Sequence, residues 1–403
     1  LQSLVAQALE NNRDLRVAIL NVERARSLYR VQRASLAPSL GASGSMTRSG
    51  GDGQTPLTPD EYYRADLGLA EYEIDLFGRT RSLSEAALQQ YLATEEARRS
   101  AQLALIAEVA HAYLTLAADQ ELQRIALATL EAFEREFELT EERFRLGATS
   151  PLELSQARTI VQRARADAAR FDGQVAQDVN ALRLLVGGSL EAALLPEAFD
   201  PEASGLSSLP VGLPSDVLLR RPDVQQAELL LRAANANIGA ARAAFFPSIA
   251  LTASVGTASA DLSNLFGGGT DVWSFSPRVN LPIFQGGRLR SNREVAVADR
   301  DIALARYERS IQSGFREVAD ALALSRTLAA QREAMQAMVE AAAEAQELSE
   351  RRYRAGQDAY LVLLDAQRTL YAARQSLVAA QLAEQSNRVR LYKALGGGWK
   401  DKG

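Results

Sequence analysis

The stretch Ser248-Ile249-Ala250-Leu251-Thr252-Ala253-Ser254-Val255-Gly256-Thr257 alternates between two kinds of side chain. Ile249, Leu251, Ala253 and Val255 fall on one parity, and Ser248, Ala250, Thr252 and Ser254 on the other. The run 272–284 repeats the pattern, with Trp273, Phe275, Val279, Leu281 and Ile283 set against Ser274, Ser276, Arg278 and Asn280. Successive side chains of a strand point to opposite faces, so each run predicts a strand with one apolar face and one small or polar face. About ten residues is the length at which a tilted strand crosses a bilayer, with one face to lipid and one to water. A half-buried sheet in a soluble protein would carry the same alternation. Aromatic residues stand near the ends of the extended runs, at Tyr62, Tyr63, Tyr72, Phe77, Phe245, Phe246, Trp273 and Phe284, where interfacial girdles would lie.

Outward from these strands the chain is helical in pattern. Residues 1–37 contain no Gly or Pro and predict a helix that Pro38 ends. A short run of period-2 character follows, then a loop rich in Gly, Pro, Ser and Thr around 48–60, then a second extended run over about 63–76. From Arg79 to Leu146 there is again no Gly or Pro, 68 residues that would make one helix about 100 Å long. Gly147 breaks it, Ser150-Pro151 restarts it, a return helix runs to about Val186, and Gly187-Gly188 closes the unit. The later half has the same plan. A helix over 216–244 stops at Pro247, and strands 248–257 and 272–284 flank a Gly-rich loop. A long helix then runs from Gly286-Gly287 to Ala355, and a return helix from about 359 to Leu395 follows the break at Gly356. Leu103, Ile106, Ala110, Tyr113 and Ala117 step by 3, 4, 3 and 4, the spacing of a coiled-coil seam.

The two halves are copies. At a constant offset of 209, Asp14 falls on Asp223, Pro38-Ser39 on Pro247-Ser248, and Gly78-Arg79 on Gly287-Arg288. Glu108-Val109-Ala110 falls on Glu317-Val318-Ala319, Gly147 on Gly356, and Gly187-Gly188 on Gly396-Gly397. An ungapped offset held over most of the chain predicts a duplication. The expected organisation is a first repeat at 1–188, an inter-repeat segment at 189–212, a second repeat at 213–397 and a tail at 398–403.

Composition narrows the function. The 403 residues carry a formal net charge of -5, with no basic excess of the kind a nucleic-acid binder uses. Cysteine is absent and His111 is the only histidine, so neither a thiolate metal site nor a His pair is available, and no Ser/His/Asp arrangement is recommended by spacing. No metal, cofactor or catalytic residue is expected. No uninterrupted run of about 18 apolar residues occurs; Leu103 to Ala118 is broken by Glu108, His111 and Thr115. Leu1-Gln2-Ser3-Leu4 reads as the middle of a helix, so a natural start upstream is expected. Four strands cannot close a barrel, and an open sheet in lipid leaves backbone groups unpaired. Several chains must therefore share one barrel: two would give eight strands, three would give twelve.

The motifs carry a resemblance over essentially the whole chain. They are Asn11-Asn12-Arg13-Asp14-Leu15-Arg16-Val17, Glu73-Ile74-Asp75-Leu76-Phe77-Gly78-Arg79, Leu213-Pro214-Ser215-Asp216 with Arg220-Arg221-Pro222-Asp223, and Ala240-Ala241-Arg242-Ala243-Ala244-Phe245-Phe246-Pro247-Ser248. Leu281-Pro282-Ile283-Phe284, Leu364-Asp365-Ala366-Gln367-Arg368 and Tyr392-Lys393-Ala394-Leu395-Gly396-Gly397-Gly398-Trp399 complete the set. With them the chain resembles the TolC-like outer-membrane factors of tripartite efflux pumps, the OprM-type subgroup most. The resemblance implies an α+β membrane protein. It would be a homotrimer in outer-membrane lipid, with a twelve-stranded β-barrel, four strands per chain, joined to a twelve-helix α-barrel that extends into the periplasm. It implies as partners a periplasmic adaptor (membrane fusion) protein and an inner-membrane resistance-nodulation-division (RND) transporter. It also implies a lipid anchor on an N-terminal Cys absent from this chain.

The resemblance places the periplasmic gate on Leu361, Asp365 and Arg368, with Tyr353 by likeness to the wider family. Leu361, Asp365 and Arg368 stand at i, i+4 and i+7, one face of a helix. Threefold symmetry would make an apolar plug of Leu361 and an acidic ring of Asp365, with Arg368 bonding that ring or a neighbouring subunit. Taken alone, the pair reads as a surface ion pair worth about 0.2–0.5 kcal/mol. The first copy has Gln156-Ala157-Arg158-Thr159 in place of Asp365-Ala366-Gln367-Arg368, so the acidic ring belongs to the second copy only. The resemblance places adaptor docking at the hairpin tips, Leu146-Gly147-Ala148 and Ala355-Gly356-Gln357. An exit duct for type I protein secretion or metal-ion efflux would share this architecture. A soluble coiled-coil scaffold is the reading from a different class.

Overall fold

The computed structural model describes residues 1–48, 61–199 and 215–397. The remainder of the loop expected at 48–60, residues 200–212 of the inter-repeat segment, Leu213-Pro214 and the tail at 398–403 lie outside the described residues.

The first helical stretch is two helices, α1 (Gln2–Asn11) and α2 (Arg13–Ala34), where a single one was expected. Asn12 between them is extended, at φ -61° and ψ 129°. Its Oδ1 accepts from the backbone N–H of Leu15 at 2.9 Å, the hydrogen bond of a helix N-cap, so an Asn ends one helix and starts the next without Gly or Pro. Then come β1 (Leu40–Arg48), β2 (Glu61–Ile74), α3 (Arg79–Arg145) and α4 (Pro151–Val186). Ser150 caps α4 by accepting from Glu153 N–H, Pro151 takes the first helical position, and Gly187 closes the helix in the left-handed conformation at φ 75°.

The second half opens with a 3-10 turn at Ser215–Arg220 and then α5 (Pro222–Ala243), so the helix expected over 216–244 is broken at Arg221. It continues with β3 (Ser248–Ser259), β4 (Asp271–Asn280), α6 (Arg288–Arg354) and α7 (Tyr360–Ala394). β4 stops before the expected residue 284; Pro282, just beyond, has no N–H to offer a ladder. Helices α2 and α5 begin and end 209 residues apart, and so do α3 and α6, each of 67 residues.

Two compact units divide the chain. One comprises Leu20–Glu96 and Asp223–Ser310 and holds the sheet, in which the strands run antiparallel in the order β1-β2-β3-β4. The register places Ile249 opposite Val279, Ala253 opposite Phe275, and Val255 opposite Trp273 on one side and Leu67 on the other. Leu40 faces Leu69 and Ala42 faces Leu67, so one apolar face runs across all four strands. Its large members stand in the open, Trp273 at 79 % exposure and Val279 at 65 %. A bulge between Leu69 and Tyr72 adds one residue to β2, with Glu71 at φ 37°. It moves Tyr72 and Ile74 onto the apolar face. Gly256 is required where the backbones meet closely, since a Cβ there would lie 2.2 Å from the Ala65 carbonyl oxygen.

The other unit comprises Leu1–Ile19, Ala97–Pro222 and Ile311–Gly403. Here α3 is buried along two sides, which a single seam did not foretell. Leu105, Val109 and Leu116 pack with Leu4, Ala8, Leu15, Leu182 and Val186, while Ala107, Ala110 and Leu114 pack with Val389. α3 also contains an 18-residue window of mean hydropathy 1.4, apolar enough by composition to span a membrane, although no unbroken apolar run was found in the sequence. Leu114, Leu116 and Ala117 of this helix are fully buried inside the unit, and 44% of the window is buried.

Candidate functional site

The opposite face of the sheet is polar and its side chains are bonded strand to strand. Ser43 Oγ donates to Asp66 Oδ2 at 2.7 Å. Arg64 donates to Asp66 Oδ1 through Nε at 3.2 Å and Nη2 at 3.1 Å. The same Nη2 reaches Ser254 Oγ at 3.0 Å, and Ser254 Oγ lies 2.7 Å from Ser274 Oγ. This line of polar groups crosses β1, β2, β3 and β4. The sheet thus has the two unlike faces that a strand needs between lipid and water.

The hairpin tips are built alike. Gly147 and Gly356 adopt φ 73° and 72°. Ala148 N–H donates to Arg143 C=O at 2.8 Å and Gln357 N–H to Arg352 C=O at 2.9 Å. Gly147 and Gly356 donate three residues back, which completes a Schellman closure at each tip. Leu146, Gly147, Ala148, Ala355, Gly356 and Gln357 are all exposed, and a Cβ at either Gly would touch nothing.

Side chains make the tips unequal. Arg352 clamps its own turn, donating to Asp358 through Nε at 2.6 Å and Nη2 at 2.9 Å. That guanidinium holds the Asp358 carboxyl below the usual carboxylate range. The first copy has Thr149 where the second has Asp358, and Thr149 hydrogen-bonds Glu153. Arg143, the counterpart of Arg352, instead donates across to Tyr353 Oη at 3.0 Å. Tyr353 in turn stands where the first copy has Phe144, which has no hydroxyl. One hydrogen bond therefore joins the end of α3 to the end of α6, and the repeat contains no reciprocal residue pair for it. The Tyr353 ring packs on Tyr360 at 5.5 Å, beside Phe133, Ile160, Val161 and Leu364. Burial, then the charge of Glu136, pushes the Tyr360 phenol up to about 12.

The predicted gate face is present. Leu361 is 55 % exposed, and Asp365 and Arg368 are exposed on the same side of α7. Among the described residues Asp365 and Arg368 form no ion pair with each other. Arg368 instead lines a cavity of about 290 Å³ with Arg163, Asp167, Arg170, Tyr371 and Gln375. The sequence does not show the Arg143–Tyr353 bond or the Ser43–Asp66–Arg64–Ser254–Ser274 line directly. The Phe144/Tyr353 and Thr149/Asp358 exchanges at offset 209 were the available signal for the first; the second needs the register. Among the described residues no group of His, Asp and Glu is placed to hold a metal ion.

The family described as outer membrane efflux protein matches residues 4–188 and again 213–397. The chain belongs to the outer membrane efflux protein family. The probable efflux pump outer membrane protein TtgC of Pseudomonas putida is 48% identical over 408 residues, covering 100% of this chain and 84% of the relative. The crystal structure of a membrane protein from Pseudomonas aeruginosa superposes with a TM-score of 0.92 at 43% identity, over 99% of this chain and 90% of that one. The open state of the MtrE outer membrane channel of Neisseria gonorrhoeae gives 0.89 at 41% identity, over 98% and 89%. The fold of this efflux protein is therefore that of outer membrane channels. The exposed apolar face of its sheet is the face such a fold turns to lipid.

Proposed function

We propose that this efflux protein is the outer-membrane exit duct of a tripartite drug efflux pump. It conducts solutes passively from a periplasmic adaptor and an inner-membrane RND transporter to the outside, and performs no chemistry. The observation that carries the reading is the four-strand sheet, apolar on one face, polar on the other, with β1 and β4 as its two edges. Edges in lipid must be paired. Three chains, as a homotrimer, give a twelve-stranded barrel wide enough for a channel, and α3, α4, α6 and α7 of each give twelve helices. The repeats at 1–188 and 213–397 supply equivalent hairpins, which suits a tube of pseudo-sixfold symmetry.

The periplasmic gate consists of Tyr353, Leu361, Asp365 and Arg368. Exposed in one chain, Leu361 and Asp365 become an apolar plug and an acidic ring on the threefold axis, and Arg368 pairs with that ring across subunits. The adaptor docks on the exposed tips, Leu146-Gly147-Ala148 and Ala355-Gly356-Gln357. The test is single-channel conductance in planar bilayers. Asp365→Ala with Arg368→Ala should raise it above that of the parent; an unchanged conductance contradicts this gate.

A further inference from the structure

We propose that Arg278 forms a ring of positive charge on the inner face of the barrel, and that this ring favours the passage of anions over cations. The inference rests on the trimeric barrel proposed above.

The register assigns the charged residues of the polar face. Among the described residues these are Arg64, Asp66 and Glu73 on β2 and Arg278 on β4. Arg64 and Asp66 neutralise each other at 3.1 Å. Both Glu73 carboxylate oxygens accept from Arg79, at 3.1 and 2.8 Å. Glu71 sits in the bulge and belongs to neither ladder. That leaves Arg278, which is exposed and has no carboxylate within ion-pair distance among the described residues. Glu73 shares its row, since Glu73 faces Ala250 and Ala250 faces Arg278. It is two strands away, about 10 Å, and its oxygens are occupied by Arg79.

Barrel closure supplies no partner either. β4 is an edge of the sheet, so its neighbour in a closed barrel is β1 of the next chain. The polar parity of β1 is Gly41, Ser43, Ser45 and Thr47, which carry no charge. Whatever the register across that seam, Arg278 meets no carboxylate on β1. It lies two residues from the end of β4 at Asn280, so the three copies make one ring where the strands hand over to the helices.

The ring is close enough to act on permeating ions. Twelve strands spaced about 4.8 Å apart and tilted by about 40° give a backbone radius of about 12 Å. The guanidinium groups project inward from that wall. The centre of the opening is then within about one Debye length, ~8 Å at physiological salt, of each charge.

The test uses the full chain in planar bilayers under a potassium chloride gradient, with the reversal potential giving the chloride-to-potassium permeability ratio. It is run on the parent and on the Asp365→Ala/Arg368→Ala background, so that the narrow tips do not dominate the current. Arg278→Gln should lower the ratio by roughly twofold, more at low ionic strength, while Arg278→Lys keeps it. A channel whose ratio is the same with and without Arg278→Gln on both backgrounds overturns the ring. A parent protein that forms no channel overturns the duct reading instead.

Discussion

Arg221 Nη1 donates to the carbonyl oxygen of Ala394 at 2.8 Å, and the same bond stands 209 residues earlier, where Asn12 Nδ2 donates to the carbonyl of Leu185 at 2.9 Å. Each side chain sits at a break between helices and closes the last turn of its repeat's return helix, α4 or α7. The glycines behind it are fitted to the same contact. A Cβ on Gly187 would lie 2.5 Å from the Asn11 carbonyl, and one on Gly396 would touch Arg221. The duplicated sequence has thus kept one tertiary hydrogen bond while changing its donor from an amide to a guanidinium.

The change of donor predicts unequal costs. Arg221 is buried and also bonds Glu317 at 2.8 Å, so Arg221→Ala leaves a buried carbonyl and a carboxylate without their donor. It should destabilise the helical unit by about 2–3 kcal/mol. Asn12→Ala loses a cap and a neutral hydrogen bond, about 1–2 kcal/mol. Thermal unfolding of both variants in detergent checks the order. An Arg221→Ala variant as stable as the parent would refute the role given to it.

Tyr353 and Arg143 are predicted to act as one unit. Tyr353→Phe removes the hydroxyl that accepts from Arg143 and should raise single-channel conductance. Arg143→Ala removes the same bond, so the double variant should conduct no more than either single one. Fully additive increases would mean that the two residues act separately.

Asp178 predicts a loss of stability as the pH rises. Its Oδ2 is buried without a donor. Burial first, then hydrogen bonding and repulsion from the Asp119 carboxyl, pushes its pKa up to about 7. A folded-state value above the unfolded one, near 3.9, means that the contribution is whole below that value and is lost by the time the pH has passed about 7. Asp178→Asn imitates the protonated form. The melting temperature of this variant should match that of the parent near pH 4 and exceed it increasingly up to about pH 7. Parallel curves across that range would contradict the raised pKa of Asp178.

Much of this was legible in the sequence because it rests on local chemistry. Gly147, Ser150-Pro151 and Gly356 mark the hairpin turns, and the alternation from Ile249 to Val255 and from Trp273 to Val279 gives two strands and their faces. Position 12 was not read as a break, since its cap depends on a rotamer reaching Leu15 N–H and its amide on Leu185, 173 residues away. The bulge at Ala70-Glu71 hid the faces of β2, because one extra residue inverts the parity after it. At the candidate gate, the i, i+4, i+7 face of Leu361, Asp365 and Arg368 was readable from helix periodicity. The Arg143–Tyr353 bond was not, because it joins two helix ends 210 residues apart.

The most direct test of the central claim is the mass of the protein component in detergent, measured by light scattering. A trimer has three times 43.6 kDa and the twelve strands of a conducting barrel, and this mass is expected. A mass of one chain, or of two, would contradict it.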